Sequence, residues 1–313
     1  MRPAHLQIDL SAIRHNLGEV RRIVGPDVAI IAVVKADAYG HGALRVSRVA
    51  LESGAAMLAV ALLEEGIQLR AAGLLAPILV MGAMLPEQAE DLVAWNLTPS
   101  VMSVELAAAL SQAAVAAGVE RACHLKVDTG MCRLGVRCDG LAEVLPQLAA
   151  LPGLRWEGIF SHLADPTDDA EGTDKQIARF AAAVSQAEGV LGPLPCRHLS
   201  GSGGICLHPA GIFTAVRPGE MMYGLVAGVP ETLQRGLCEA MSLHTRVAFL
   251  KTVRAGERVS YGGTWQALRD TTLAVVPIGY ADGYPRSLSG VAQVLIGGRR
   301  RPLVGRVCMD CAL

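Results

Sequence analysis

AIIAVVKADAYGHG, Ala29–Gly42, joins an apolar run to a sudden cluster of reactive residues. The run Ala29–Val34 reads as a buried strand, too short for a helix and rich in β-branched residues. It stops at Lys35, and Asp37, Tyr39, Gly40, His41 and Gly42 follow within seven residues. Polar chemistry placed where a buried strand ends is the pattern of sheets whose active sites lie at the strand C-termini.

Working outward, short apolar runs recur at 28–34, 56–61, 77–81, 97–102, 122–128, 154–160, 196–199 and 212–216. Helix-like stretches lie between them at 42–53, 62–72, 86–95, 103–117, 140–151, 173–190 and 202–208. Ser11 is the expected N-cap of an opening helix and Ser103 that of the helix after Met102. Strands alternating with helices predict a parallel sheet, and eight strands close a (β/α)₈ barrel. The alternative is an open doubly wound sheet. It is less favoured because no G-x-G-x-x-G follows the first strand.

The texture changes near residue 235. SLHTRVAFLKTV, ERVSYGG, TTLAVVPIGY, VAQVLIGG and RPLVGRVCMD are strand-like segments broken by Gly-rich turns, which reads as a mostly β second domain. The expected organisation is an α/β barrel over 1–234 and a β domain over 235–313. That second domain ends in the middle of apolar sequence and is expected to be incomplete.

Hydrophobic residues make up 51% and aromatics only 4%, so the core must be built of Ala, Leu and Val. With 28 basic and 29 acidic residues, charge gives no case for nucleic acid or an anionic membrane as partner. The N-terminal residues lack a signal-peptide apolar core, and no apolar stretch is long enough to span a bilayer, so a cytoplasmic protein is expected. Eight cysteines are scattered along the chain. Cys308 and Cys311 form one C-x-x-C without a second pair nearby. Free thiols are favoured over a zinc site, and no metal is expected.

Reactive residues fall where a barrel needs them. After the fifth strand come Lys126, Asp128 and Arg133; after the sixth, Ser161 and His162; after the seventh, Ser200–Gly204; after the eighth, Arg217, Pro218 and Gly219. The third strand is followed only by Gly82 and Ala83. Desolvation disfavours an ammonium's charge, and a neutral amine attacks aldehydes to form Schiff bases; a lysine reaching out to solvent is the bland alternative for Lys35. SGSGG and RPGEMMYG are adjacent glycine-containing loops of the kind that hold phosphate after strands seven and eight. An amine and a phosphate site together suggest pyridoxal phosphate. By strand parity His124, Lys126 and Asp128 share one face, opposite Leu125 and Val127, and need partners there. Arg133 could grip a carboxylate, and His162 could stack on a planar ring or be a satisfied core histidine.

VVKADAYGHG, HLKVDTGM-x-RLGV, RPGEMMYG, VSYGGTW and GYADGYPR occur in this order over nearly the whole chain. Together they resemble the alanine racemases, fold-type III pyridoxal-phosphate enzymes. The resemblance implies racemisation of L- and D-alanine, as for peptidoglycan precursors, by two bases: Lys35, which also holds the cofactor, and Tyr261 contributed by the partner subunit of a homodimer. It implies that Tyr39, Ser202, Gly219 and Tyr223 sit around the cofactor's phosphate, that His162 packs on its ring and that Arg217 faces its ring nitrogen. It implies that Lys126 is carbamylated and orients Arg133, that Arg133 touches the cofactor's phenolic oxygen, and that Arg133, Met309 and Tyr284 meet the substrate. Serine or broad amino-acid racemisation is a close variant. A non-catalytic pyridoxal-phosphate-binding protein is the alternative of another class; such proteins have only a barrel, and VSYGG and GYADGYPR argue against it. Three features depart from the family pattern. Cys132 stands where glycine is usual, Ser200-Gly201-Ser202 replaces Ala-Asn-Ser, and the β domain stops soon after VCMD, leaving an edge open to aggregation.

Overall fold

The computed structural model describes residues 3–234 and 236–313. The chain forms two compact units, one of Asp9–Ala240, the other joining the residues up to Ile8 with Met241–Leu313.

In the first unit, eight parallel strands close into a barrel. They are Ala29–Val33, Met57–Val60, Ile78–Val80, Thr98–Val101, Arg121–Asp128, Leu154–Phe160, Cys196–Gly201 and Ala215–Arg217. Each pairs with its sequence neighbour, except that the first also pairs with the eighth and the seam between the fourth and fifth is completed by Ser100 opposite His124. All eight expected strands are present, with ends moved by a few residues. Side-chain alternation builds two cores. Ile30, Ala32 and Val34 point outward into the large cluster under the helices, while Ile31 and Val33 point inward with Met57, Ala59, Leu79 and Ala215. The opening stretch is therefore apolar throughout because both of its faces are covered.

The fifth strand breaks that rule on one side. Cys123, Leu125 and Val127 join the outer core, and His124 and Lys126 are buried on the opposite face. The barrel interior is thus apolar over its first strands and polar on the side of strands five to eight.

The opening helix, Leu10–Val24, is capped by Asp9, whose carboxylate accepts from the N–H groups of Ser11 and Ala12. Ser11 is inside the helix, so the expected cap moves two residues earlier: the carboxylate is the stronger acceptor and also takes the Ser11 hydroxyl. Ser103 does cap Val104–Ala116, accepting from the Leu106 N–H at 3.2 Å.

The second unit is built of antiparallel ribbons. His5–Ile8 pairs with Met241–His244, Phe249–Val253 with Thr271–Val275, Arg258–Val259 with Trp265–Gln266, and Gln293–Ile296 with Arg299–Pro302. The last is turned by Gly297 and Gly298 at φ 58° and 73°, the two positive values that a two-residue hairpin of matching twist requires. The N-terminal strand lies outside the 235–313 range because its partner is Met241–His244. Its apolar clusters are small, one around Val253, Val259 and Leu273, another around Leu303, Val307 and Ala312.

Candidate active site

Lys35 opens one turn of left-handed helix. Ala36, Asp37, Ala38 and Tyr39 have φ of 51–55° and ψ of 37–53°. Each L-residue in this conformation costs roughly 1–2 kcal/mol, and such strain persists only where surrounding bonds enforce it. Here Glu65 takes the Ala36 N–H at 2.6 Å and the Ala61 N–H at 2.8 Å. Asp37 takes the Ala43 N–H at 2.7 Å, and the Ala38 N–H returns to the Val34 carbonyl at 2.9 Å. The tight left-handed turn keeps Lys35 and Tyr39 on one cavity wall, with the lysine Nζ 5.8 Å from the tyrosine ring centre.

That cavity, about 460 Å³, opens at the C-terminal ends of the strands. Lys35, Tyr39, Lys126, Arg133 and His162 line it together with Ser202, Arg217 and Gly219. Gly82, after the third strand, also lines it, although the sequence offered nothing there. The two glycine loops meet at Ser202, whose hydroxyl oxygen accepts from the N–H groups of Gly219 at 3.0 Å and Met221 at 3.2 Å. A Cβ on Gly219 would stand 2.8 Å from the Tyr39 hydroxyl, so that approach admits no side chain. Tyr223 is buried beneath this wall; its hydroxyl donates to the Val33 carbonyl at 2.9 Å, and its ring lies 4.9 Å from that of Tyr39.

Arg217 is buried and, among the described residues, has no carboxylate partner. Nη1 donates to His198 Nδ1 at 2.7 Å and to the His198 carbonyl at 2.8 Å; Nη2 donates to the carbonyls of Ser161 and Leu199 and to His162 Nδ1 at 3.2 Å. Burial lowers its pKa to about 10, which still leaves it a cation at neutral pH. Burial first, then the Arg217 charge, lowers His162 and His124 to about 3 and His198 well below its ordinary value. Lys126 falls to about 6 for the same first reason, with Arg217 and Arg133 adding repulsion. Its Nζ sits 4.3 Å above the ring of Phe160, which stacks on His198 at 4.7 Å. An amine that is largely neutral at pH 7 is thereby held among cations.

The tautomers follow from the one donor that cannot accept. Arginine always donates, so His198 Nδ1 carries no proton and its Nε2–H donates to His124 Nδ1 at 2.9 Å. His124 Nε2 then carries a hydrogen and, among the described residues, has no partner. His124, His198 and Cys196 hold their ligand atoms within 4.8 Å of one another, yet His198 has no lone pair left for a cation in this arrangement.

Residues 8–227 match the alanine racemase N-terminal domain family and 240–313 the C-terminal domain family. An alanine racemase of Desulforamulus reducens is 44% identical over 98% of this chain and 84% of its own. The crystal structure of the alanine racemase from D-cycloserine-producing Streptomyces lavendulae superposes with a TM-score of 0.93 at 34% identity, over 100% of this chain and 83% of that one. That of Bartonella henselae, with covalently bound pyridoxal phosphate, gives 0.86 at 29% identity, over 100% and 85%. The chain belongs to the alanine racemase family. Its members are isomerases, and the closed eight-stranded barrel with a mostly β second unit is the family architecture.

The remaining expected site residues lie in the second unit. Tyr261 follows Ser260 and is 69% exposed, Met309 is exposed, and Tyr284 is half-buried beside Val307 and Ala312. Cys132, where the family usually has glycine, is exposed with φ of 54°. A side chain is therefore carried on left-handed backbone immediately before Arg133, where glycine would be free of strain. Sequence reading missed His198 as the support of Arg217 and Phe160 as the ring beneath Lys126. The alternation of Cys196, His198 and Ser200 along the seventh strand was the available signal. Among the described residues, no helix is long and apolar enough to cross a membrane.

The buried neutral histidines predict acid sensitivity. An unfolded histidine binds a proton below about pH 6.5, whereas folded His124 and His198 stay neutral to much lower pH, so unfolding takes up protons and stability falls as pH falls. These two groups alone give a slope of about 2.7 kcal/mol per pH unit, to which His162 adds in the same direction. Urea midpoints followed by circular dichroism should drop steeply between pH 6 and 5, before ordinary carboxylates titrate. A flat profile over that window would mean that the two imidazoles are not buried neutral.

Proposed function

We propose that this chain racemises alanine with pyridoxal 5′-phosphate as cofactor, working as a cytoplasmic homodimer whose sites are completed by the partner subunit. The observation that carries this reading is the convergence of Lys35, the Ser202–Gly219 loop junction and the buried Arg217 cation on a single cavity.

The donor set fits the cofactor. Lys35 offers an amine to an aldehyde. The loop at Gly201–Gly204, beside Tyr39, offers a phosphate backbone N–H groups at close range; Gly219 would join them by releasing its N–H from Ser202, and Tyr223 by turning its hydroxyl from Val33. His162 presents an imidazole beside Arg217, suited to pack on the ring. When bound, pyridoxal phosphate supplies an aldehyde that takes amines covalently and a conjugated ring that acidifies the attached Cα–H.

The rest is done by side chains. The Arg217 Nε–H takes no part in the bonds that anchor the guanidinium, which leaves it to hydrogen-bond a ring nitrogen. Arg217 does not release its proton at neutral pH, so that nitrogen stays unprotonated and the ring remains a modest electron sink, favouring simple proton exchange over transamination. Lys126, largely neutral, is a nucleophile toward carbon dioxide. Carbamylation would turn a neutral amine into an anion that holds Arg133 and Arg217, and Arg133 would then face the substrate carboxylate. Met309 and Tyr284 complete the substrate side. Racemisation needs a base on each face of Cα: Lys35 on one, Tyr261 of the partner subunit on the other. The exposure of Tyr261 on the single chain, with Phe249 and Leu250 also exposed, supports a site shared between subunits.

The test is chiral analysis of L-alanine, with L-serine in parallel, incubated with purified protein and added pyridoxal phosphate. D-Alanine should accumulate to an equal mixture. D-Serine formed faster would favour the serine variant. Bound cofactor without either product would overturn the racemase reading in favour of a cofactor-binding protein.

A further inference from the structure

The last turn of the second unit holds a thiol pair for which racemisation has no use. Cys308–Cys311 reverses direction around Met309 and Asp310, closed by the Cys308 N–H donating to the Cys311 carbonyl at 2.9 Å. Val276 and Ala312 exchange two further bonds of 2.9 Å each and fix the strand leaving the turn. The direct backbone bond between the two cysteines brings their main chains together across the turn, as a disulfide requires of the residues that it joins. Both thiols are free and partly accessible.

Cys308 is also a hub for what lies around it. Its Sγ is 3.6 Å from the Ser260 hydroxyl and 3.6 Å from the Arg306 carbonyl. Ser260, at φ 64°, donates to that same carbonyl at 2.8 Å and immediately precedes Tyr261. The carbonyls of Cys308 and Met309 take the N–H groups of Tyr280 and Ala281 at 3.1 and 3.0 Å. A Cβ on Gly279 would lie 2.3 Å from the first of these carbonyls and 2.4 Å from the second, so the contact is close. Movement of Cys308 is therefore transmitted to the segments carrying Tyr261, Met309 and Tyr284.

We propose that Cys308 and Cys311 are a reversible oxidation site, at which a disulfide draws Met309 and Tyr261 out of their working positions. The effect on turnover rests on the racemase reading; the thiol chemistry does not. The oxidant is a peroxide. The Cys308 sulfur, as thiolate, attacks one peroxide oxygen, the O–O bond breaks and hydroxide leaves, taking up a proton to become water. The Cys311 sulfur then displaces the oxygen from Cys308 as a second water, forming the S–S bond. Two thiols lose two electrons and two protons, and one peroxide becomes two waters. A disulfide sulfur carries no hydrogen, so Cys308 loses the donor with which it holds the Arg306 carbonyl, the same carbonyl that takes the Ser260 hydroxyl. Dithiols reverse the change by exchange.

The experiment treats the holoprotein with hydrogen peroxide and then with an alkylating agent. The tryptic peptide Val307–Leu313 carries both cysteines. It should be found unalkylated and two hydrogens lighter, and should return to the dithiol with dithiothreitol. Amide hydrogen exchange over 258–266 and 279–284 should change on oxidation of the wild type and not of Cys311→Ser. Racemisation should fall at least tenfold with the disulfide and recover with dithiothreitol. Cys311→Ser should match the reduced wild type and lose no activity that dithiothreitol restores. Both cysteines alkylated after peroxide would overturn the site. A disulfide formed without change in hydrogen exchange would overturn its coupling to Tyr261 and Met309. A disulfide with the exchange response, in a protein that never racemises alanine, would uphold the site and overturn the functional reading instead.

Discussion

Lys35→Ala should abolish the covalent hold on pyridoxal phosphate and slow racemisation by about 10⁴-fold or more, the upper end for loss of a positioned base and here compounded with loss of the cofactor link. The fold should survive. Lys35 is only half-buried, and the left-handed turn after it is held by Glu65 and Asp37 through backbone N–H groups that the substitution leaves in place. The measurement is borohydride reduction of the cofactor-loaded protein, followed by peptide mapping. It is well defined in this chain, which has four lysines: Lys35, Lys126, Lys175 and Lys251. Of these, Lys35 and Lys126 line the cavity. Lys126 is the serious competitor, since burial brings it down to about 6 and leaves much of it as free amine at neutral pH. A reduced adduct that persists on Lys126 in the Lys35→Ala protein would reassign the cofactor link. An adduct confined to Lys35 in the wild type and missing from the variant would leave Lys126 free for carbon dioxide.

The barrel could be read from the sequence because its determinants are local. An apolar strand, a reactive residue at its end and a helix after it recur along the chain, and the parity of His124, Lys126 and Leu125 assigned their faces correctly. What escaped reading depends on partners distant in sequence. Nothing in Ala36–Tyr39 announces four consecutive positive φ values without a glycine; the turn is enforced by Glu65, 29 residues from Ala36. The His124–His198 pair joins strands 74 residues apart. The end of the seventh strand carries the same lesson, since the sequence showed a phosphate-type loop while the adjoining strand residue, His198, was needed to support Arg217. The helix cap failed for a smaller reason. Asp9 and Ser11 are both capping residue types, and the choice between them depends on which side chain reaches the free N–H groups.

Tyr261→Phe should divide the two directions of the reaction. The substitution keeps the ring and removes only the atom that carries a proton. The segment is otherwise fixed by its backbone: Ser260 is bonded to the Arg306 carbonyl at 2.8 Å, and Gly262 and Gly263 turn at φ 74° and 55°. Stability should therefore change little, since the exposed hydroxyl loses no buried partner. Turnover should fall by about 10²–10⁴, the range for one positioned acid or base. The fall has a direction. In the proposed mechanism, abstraction of the Cα proton from L-alanine falls to Tyr261, whereas abstraction from D-alanine falls to Lys35, which remains. A phenol is chiefly a proton donor at neutral pH, so its service as a base requires cationic or hydrogen-bonding neighbours in the assembled site. In deuterated water, with cofactor bound, wash-in at Cα should be much slower from L-alanine than from D-alanine, whereas the wild type should exchange both. Equal slowing from both enantiomers would remove the face-specific role and make Tyr261 a positioning residue. Unchanged exchange from L-alanine would mean that the second base lies elsewhere, with Tyr284 the next residue to substitute.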